Sequence, residues 1–305
     1  MKRKNDFQPE VTEMSNFKDL KNASFAFYKE YMDIAYHGGR DNLNRQFLMI
    51  VNDSSSKKEI REFGNRQCSL LKNGLKSSLG GSGAVFQKNY KVTFPGALIG
   101  SGYPHITGKM KGEIQNGFCF DHITGAPYYP GSSLKGLLED PFERALKGRK
   151  EEKAGYLYYL LTTIRNTVGK MLTEKEVKFI WEQSFKGILP GKDGKRENMF
   201  DRDVFFDAYI TGVDQSAYNH YRDIIGEDVI TPHENILHEP NPITVLRLMP
   251  GVRLTITMVL HRVIDDLGGT VLTSEEKLNV FCSIIEDMGI GSRTNLGYGV
   301  LKSGR

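Results

Sequence analysis

The sequence predicts an α+β protein built on a ferredoxin-like β-α-β-β-α-β unit. Three observations carry that prediction. From Tyr90 onward, with insertions set aside, the elements run strand, helix, strand, strand, helix, strand. Arg253–Leu260 alternates, with Leu254, Ile256, Met258 and Leu260 on one face and Arg253, Thr255 and Thr257 on the other. A capped helix with the stripe Leu278, Phe281, Cys282, Ile285 and Met288 then ends at Gly289, ahead of a last short strand. RNA-recognition domains use the same scaffold.

The N-terminal part reads as helical. Phe17, Leu20, Ser24, Phe27, Tyr28, Tyr31 and Ala35 recur at three- and four-residue steps on one helix face. Ser56-x-x-Glu59 forms a capping-box pattern ahead of Ile60, Phe63, Leu70, Leu71 and Leu75. Glycines and serines between Ser77 and Gly83 then break the pattern, so we divide the chain into a helical region, 1–85, and a ferredoxin-like domain, 86–305.

Within that domain the first strand is expected at Tyr90–Phe94, halted by Pro95-Gly96. A glycine-rich excursion follows at 100–117. Tyr128-Tyr129-Pro130-Gly131 turns into a helix carrying Leu134, Leu137 and Leu138. Asp140-Pro141 reads as an N-cap and first-turn proline that restart the helix. A helical insertion spans 149–187, with a capping box at Thr173-x-x-Glu176 and the stripe Val177, Ile180, Trp181. Val204–Ile210 is β-branched and aromatic, hence a strand, and Tyr298–Lys302 is the last one.

Composition removes several classes of function. With 39% hydrophobic and 26% charged residues over 305 positions, the chain is an ordinary globular one, not a disordered one. No apolar run approaches the roughly 18 residues of a membrane span, and the basic start Met1–Lys4 leads into no apolar segment of a secretory signal. Cys68, Cys119 and Cys282 are far apart, which argues against a disulfide framework or a Cys-rich zinc site and fits a reducing cytoplasm. A net charge of +4 permits a nucleic-acid partner without requiring one. No cofactor motif is present in a matching strand–helix context.

Two motifs carry chemistry. In Gly289-Ile290-Gly291-Ser292-Arg293-Thr294-Asn295-Leu296-Gly297-Tyr298-Gly299, glycines let the backbone approach a partner, while Ser292, Arg293, Asn295 and exposed amides are donors suited to phosphate oxygens. It leads from helix to strand, the reverse of a dinucleotide-binding loop. In Pro130-Gly131-Ser132-Ser133-Leu134-Lys135-Gly136, two hydroxyls and a lysine occupy a helix's first turn, where free amides and the helix dipole favour an anion. A serine serving only as a cap, with Lys135 on a solvated face, explains the second motif equally well. His233-Glu234-Asn235-Ile236-Leu237-His238 has one residue too many for H-E-x-x-H and is flanked by prolines, so it reads as a loop. Asp201, Asp203 and Asp207 read as surface or turn residues and not as a metal site.

Together these motifs resemble the RAMP proteins of CRISPR systems, and most nearly the sixth subunit of the type III-B (Cmr) effector complex. Leu98-Ile99-Gly100-Ser101-Gly102-Tyr103-Pro104-His105, Phe120–Gly125, Phe205-Phe206-Asp207-Ala208, Ile230-Thr231-Pro232-His233 and Asn241-Pro242-Ile243 support the resemblance, which spans roughly Tyr90 to Arg305. Arg293 stands where many relatives carry lysine. The resemblance implies a RAMP domain in a non-catalytic subunit that binds crRNA near the 3′ end of the guide. Its partners would be target RNA, the backbone RAMP subunits and the small subunit, with no membrane and no metal. It places Ser132, Ser133, Lys135, Gly291, Ser292, Arg293 and Asn295 on the guide backbone. It also makes 100–117 a thumb-like wedge carrying His105, Lys109 and Lys111. The alternative is a metal-independent endoribonuclease that matures CRISPR transcripts, with His37, His105 or His122 as base and Lys135 as cation.

Overall fold

A computed structural model of the chain describes residues 22–38, 42–78, 83–100, 110–147, 152–164, 172–189, 202–214, 223–231 and 242–304. His105, Lys109, Asp201 and the 233–238 segment lie outside these residues.

The chain enters through α1 (Ala23–Phe25), a π-helical turn (Ala26–Tyr31) and α2 (Met32–Tyr36), followed by α3 (Leu43–Asn52) and α4 (Ser54–Ser78). Asn22 caps α1, its side chain accepting the Phe25 amide. Asp53 precedes α4 and accepts both the amide and the hydroxyl of Ser55, so α4 starts before the Ser56–Glu59 pattern.

Strand β1 (Ala84–Val92) begins well ahead of the expected Tyr90, because Ala84, Val85 and Phe86 pair with Leu260, Val259 and Met258. The short strand β2 (Tyr128–Tyr129) leads into α5 (Gly131–Leu146). Pro141 does not restart this helix but lies inside it. Leu138 and Phe142, both fully buried, bracket the proline, and their packing offsets its cost of roughly 3 kcal/mol. The insertion supplies α6 (Glu152–Ile164) and α7 (Glu174–Trp181), the latter with the expected Thr173–Glu176 capping box and a terminal π-turn, Glu182–Lys186.

The predicted strand at 204–210 is two: β3 (Val204–Phe205) and β4 (Ala208–Val213), interrupted at Phe206-Asp207. A hairpin of β5 (Ile225–Ile230) and β6 (Ile243–Leu248) follows, which the sequence pattern does not reveal. Strand β7 (Val252–Leu260) occupies the alternating segment, β8 (Val263–Ile264) and β9 (Thr270–Leu272) form a small ribbon, and α8 (Ser274–Met288) carries its Thr273–Glu276 capping box. The last strand, β10 (Leu301–Ser303), starts three residues later than predicted.

The main sheet runs β10-β1-β7-β4-β2, with β3 also on β7, and every pairing is antiparallel. Strands β1, β4, β7 and β10, numbered 1 to 4 in chain order, lie in the arrangement 4-1-3-2, the ferredoxin-like α+β order. Helices α5 and α8 cover one face. Helix α4 crosses the other, close enough at Gly64 that a Cβ there would lie 2.1 Å from the Ile210 carbonyl oxygen. This cover explains why both faces of β7 are buried: Thr257 shares Gln87 as partner, and the same Gln87 amide donates to the Cys68 carbonyl of α4. Phe27 and Phe47 from the N-terminal helices join Phe142, Ile256 and Phe281 in a single hydrophobic core.

Candidate nucleic-acid interface

The two motifs separated by some 160 residues meet at one cavity. Its walls come from the Leu98–Gly100 segment after β1, from Tyr129 on β2, from Ser133, Leu137 and Asp140 along one flank of α5, and from Gly291 and Ser292. The cavity holds about 410 Å³.

The glycine loop is pinned by its backbone. The Ser292 amide donates to the Leu98 carbonyl, Ile290 to Gly299, and Gly299 to Gly96, at 2.8–2.9 Å. Gly291 has φ +77°, and a Cβ on it would sit 2.2 Å from the Leu98 oxygen; a Cβ on Gly299 would sit 1.9 Å from the Ile290 oxygen. Several of these glycines are therefore explained by folding, where the sequence pattern assigns only Gly289 to that role. Arg293 is different. It holds φ +57°, left-handed, without being glycine, just before the short 3-10 turn Thr294–Leu296. This left-handed residue directly follows Ser292, the last loop residue in the cavity wall, and such a backbone is uncommon outside glycine. At the base of the loop the Tyr298 hydroxyl donates to Asp228, which also binds Arg247 at 2.8 Å. Burial and the Asp228 carboxylate both raise the Tyr298 pKa, against the pull of Arg247 and Arg293.

At the start of α5, Gly131 has no room for a Cβ, which would fall 2.3 Å from the Phe205 oxygen. The Gly131 amide is not free. It donates to Asp207 Oδ1 at 2.7 Å, so a carboxylate from the β3–β4 interruption already occupies part of the helix's positive end. Ser132 and Ser133 are exposed. Lys135 is half-buried and, two residues beyond Ser133, lies roughly 200° around the helix from it. Ser133, Leu137 and Asp140 share the cavity flank; Lys135 does not.

Of the other predicted RNA-binding residues, Asn295 is exposed in the loop. Lys111 is exposed at a second, larger cavity of about 780 Å³, beside Arg45, Glu227 and Asp228. The described end of the 100–117 excursion is packed, not free. Ile114 is fully buried, its amide donates to the Tyr31 hydroxyl, and Asn116 exchanges two hydrogen bonds with the backbone of Leu246.

Tyr129, Asp140 and Asp207 are the site residues that sequence reasoning misses. Tyr129 sits beside the Pro130–Gly136 motif and Asp207 within Phe205–Ala208, so proximity to a motif is the one available signal. Burial pushes the Tyr129 phenol up to about 12, while the Gly291 amide bonded to it acts in the opposite direction. Among the described residues, no histidine lines the cavity and no cluster of three metal-ligating side chains occurs. None of the described helices is long and apolar enough to cross a membrane.

Comparison with one solved structure agrees with this architecture. A structure titled as the type III-B Cmr-beta complex bound to cognate target RNA contains a similar chain, with a TM-score of 0.52 and 21% identity over 87% of this chain and 73% of that one. The crystal structure of Cmr6 from Pyrococcus furiosus also matches, with a TM-score of 0.42 and 17% identity over 74% of this chain and all of that one. No curated protein matches the sequence. The family model of the RAMP superfamily matches residues 79–302, and the chain belongs to that superfamily.

Proposed function

We propose that the chain is a non-catalytic crRNA-binding subunit of a type III-B CRISPR ribonucleoprotein, placed near the 3′ end of the guide. In this role it works in the cytoplasm with target RNA, the backbone RAMP subunits and the small subunit. One observation carries the reading: Ser133 of the helix motif and Gly291 and Ser292 of the glycine loop line one solvent-open cavity, with Arg293 next in the chain. Serine hydroxyls and an arginine suit phosphodiester oxygens and carry no base-specific pattern. Membership in the RAMP superfamily and the sheet order support the same role.

The experiment is a binding and cleavage assay on the purified chain. It is expected to bind a labelled CRISPR transcript and leave it uncut, with or without magnesium. Arg293→Ala should weaken guide binding alike for guides of different sequence. Site-specific cutting abolished by one histidine substitution would replace this reading with the endoribonuclease.

A further inference from the structure

The cross-strand register aligns three cations on the sheet face opposite α5 and α8. Arg253 on β7 pairs with Lys91 on β1, and Lys91 pairs with Lys302 on β10. Their chain neighbours Val252, Leu254, Tyr90, Val92 and Leu301 are buried in the core, so alternation turns the cations to the other face. Helix α4 runs over that face from Ile210 and Thr211 on β4 to Gln87 on β1, and Arg253 and Lys302 beside it stay exposed.

The row is a built feature. A Cβ on Gly212, the residue opposite Arg253, would lie 2.6 Å from Nε and Nη2, so the guanidinium rests on bare backbone at the bulge in β4. Lys91 has Asp214 at 2.8 Å; no carboxylate of the described residues forms an ion pair with Arg253 or Lys302. Like charges directly opposite on neighbouring strands repel. Asp214 balances Lys91 at the centre of the row, which leaves Arg253 and Lys302 as the two cations on either side that an extended anion could bridge. With strands roughly 4.8 Å apart it spans about 10 Å.

We infer that Arg253, Lys91 and Lys302 form a second track for the phosphodiester backbone of single-stranded RNA, separate from the cavity. This inference rests on the RNA-binding role proposed above. Among the described residues, the neighbours of the row on that face, Asn89, Thr255 and Thr211, are polar and bonded to one another, with no apolar or aromatic side chain between them. A protein-docking surface would centre on such an anchor, and a base-reading surface would need a stacking platform. An arginine fork with two lysines suits phosphate oxygens and is indifferent to sequence.

The test is a salt titration of the full chain with unstructured 20-nucleotide RNAs of different sequence. Each phosphate neutralised on single-stranded RNA contributes about 0.7 to the steepness of log affinity against log salt, so Arg253→Ala with Lys302→Ala should flatten the slope by roughly 1.4. The charge-keeping pair Arg253→Lys and Lys302→Arg should retain the wild-type slope. An unchanged slope in the alanine pair, with wild type and Arg293→Ala still differing, overturns the track and leaves the proposed function intact. Binding of poly-glutamate that the alanine pair abolishes, with RNA affinity unaltered, overturns it in favour of an acidic protein partner. A wild-type chain that binds no RNA removes both readings.

Discussion

Lys277 of α8 and Asp203, just ahead of β3, form an ion pair with Nζ 2.8 Å from Oδ2 and both side chains only 1% exposed. Asp203 also accepts the His261 amide at 2.8 Å. Burial holds the Lys277 pKa below the ordinary lysine value, against the attraction of Asp203. Removing one partner strands the other charge in the core, so Asp203→Ala or Lys277→Met alone should destabilise the protein by about 3–5 kcal/mol. Replacing both with well-packed apolar residues should recover most of that loss. Urea denaturation of the two single variants and the double variant reads the difference.

Gly291→Ala should damage both fold and binding. The new Cβ meets the Leu98 oxygen in a left-handed conformation that alone costs roughly 1–2 kcal/mol. We expect a lower Tm together with weaker guide binding. A variant with native Tm and affinity would show that the loop relaxes without loss.

Tyr129→Phe isolates the bond from the Gly291 amide. At pH 8 it should cost about 0.5–1.5 kcal/mol, the net contribution of one hydrogen bond. Burial lifts the folded-state pKa to about 12, above the unfolded value near 10. The stabilisation tied to the neutral phenol is therefore complete below pH 10 and lost as pH rises toward 12. The gap between wild type and Tyr129→Phe should narrow in denaturation curves at pH 11.

Lys135 and Arg293 should act independently. The family resemblance puts both cations on the guide backbone, but Lys135 lies off the cavity flank of α5. A double-mutant cycle on guide affinity should give a coupling below about 0.5 kcal/mol. A larger value would bring them onto one stretch of RNA.

Ile114→Ala should cost about 2–5 kcal/mol, as for other fully buried aliphatic residues. Thermal denaturation of this variant beside Lys111→Ala, which should be close to neutral, separates the packed end of the excursion from its exposed turn.

Local chemistry is readable from the sequence and long-range geometry is not. Thr173–Glu176 and Thr273–Glu276 announce their helices because a capping box is complete within four residues. The glycine loop and Ser133 are legible for the same reason. Asp203 and Lys277 are 74 positions apart, and nothing near either residue marks it as half of a buried pair. Gly64 looks like a weak point in a helix until Ile210 is placed against it. The Asp207 bond to Gly131 requires the interruption between β3 and β4, which propensity alone smooths into one strand.

The placement of α4 across the sheet also sets a timetable for biosynthesis. Its partners β4 and β7 are translated 130 or more positions later, which at 5–20 residues per second is on the order of ten seconds. Throughout that interval Phe63 lacks the Tyr209 ring and Cys68 lacks Thr255, the partners they meet on β4 and β7. The N-terminal helix thus leaves the ribosome as an apolar surface awaiting its floor, and slowing translation between residues 79 and 208 should lengthen its exposure to chaperones.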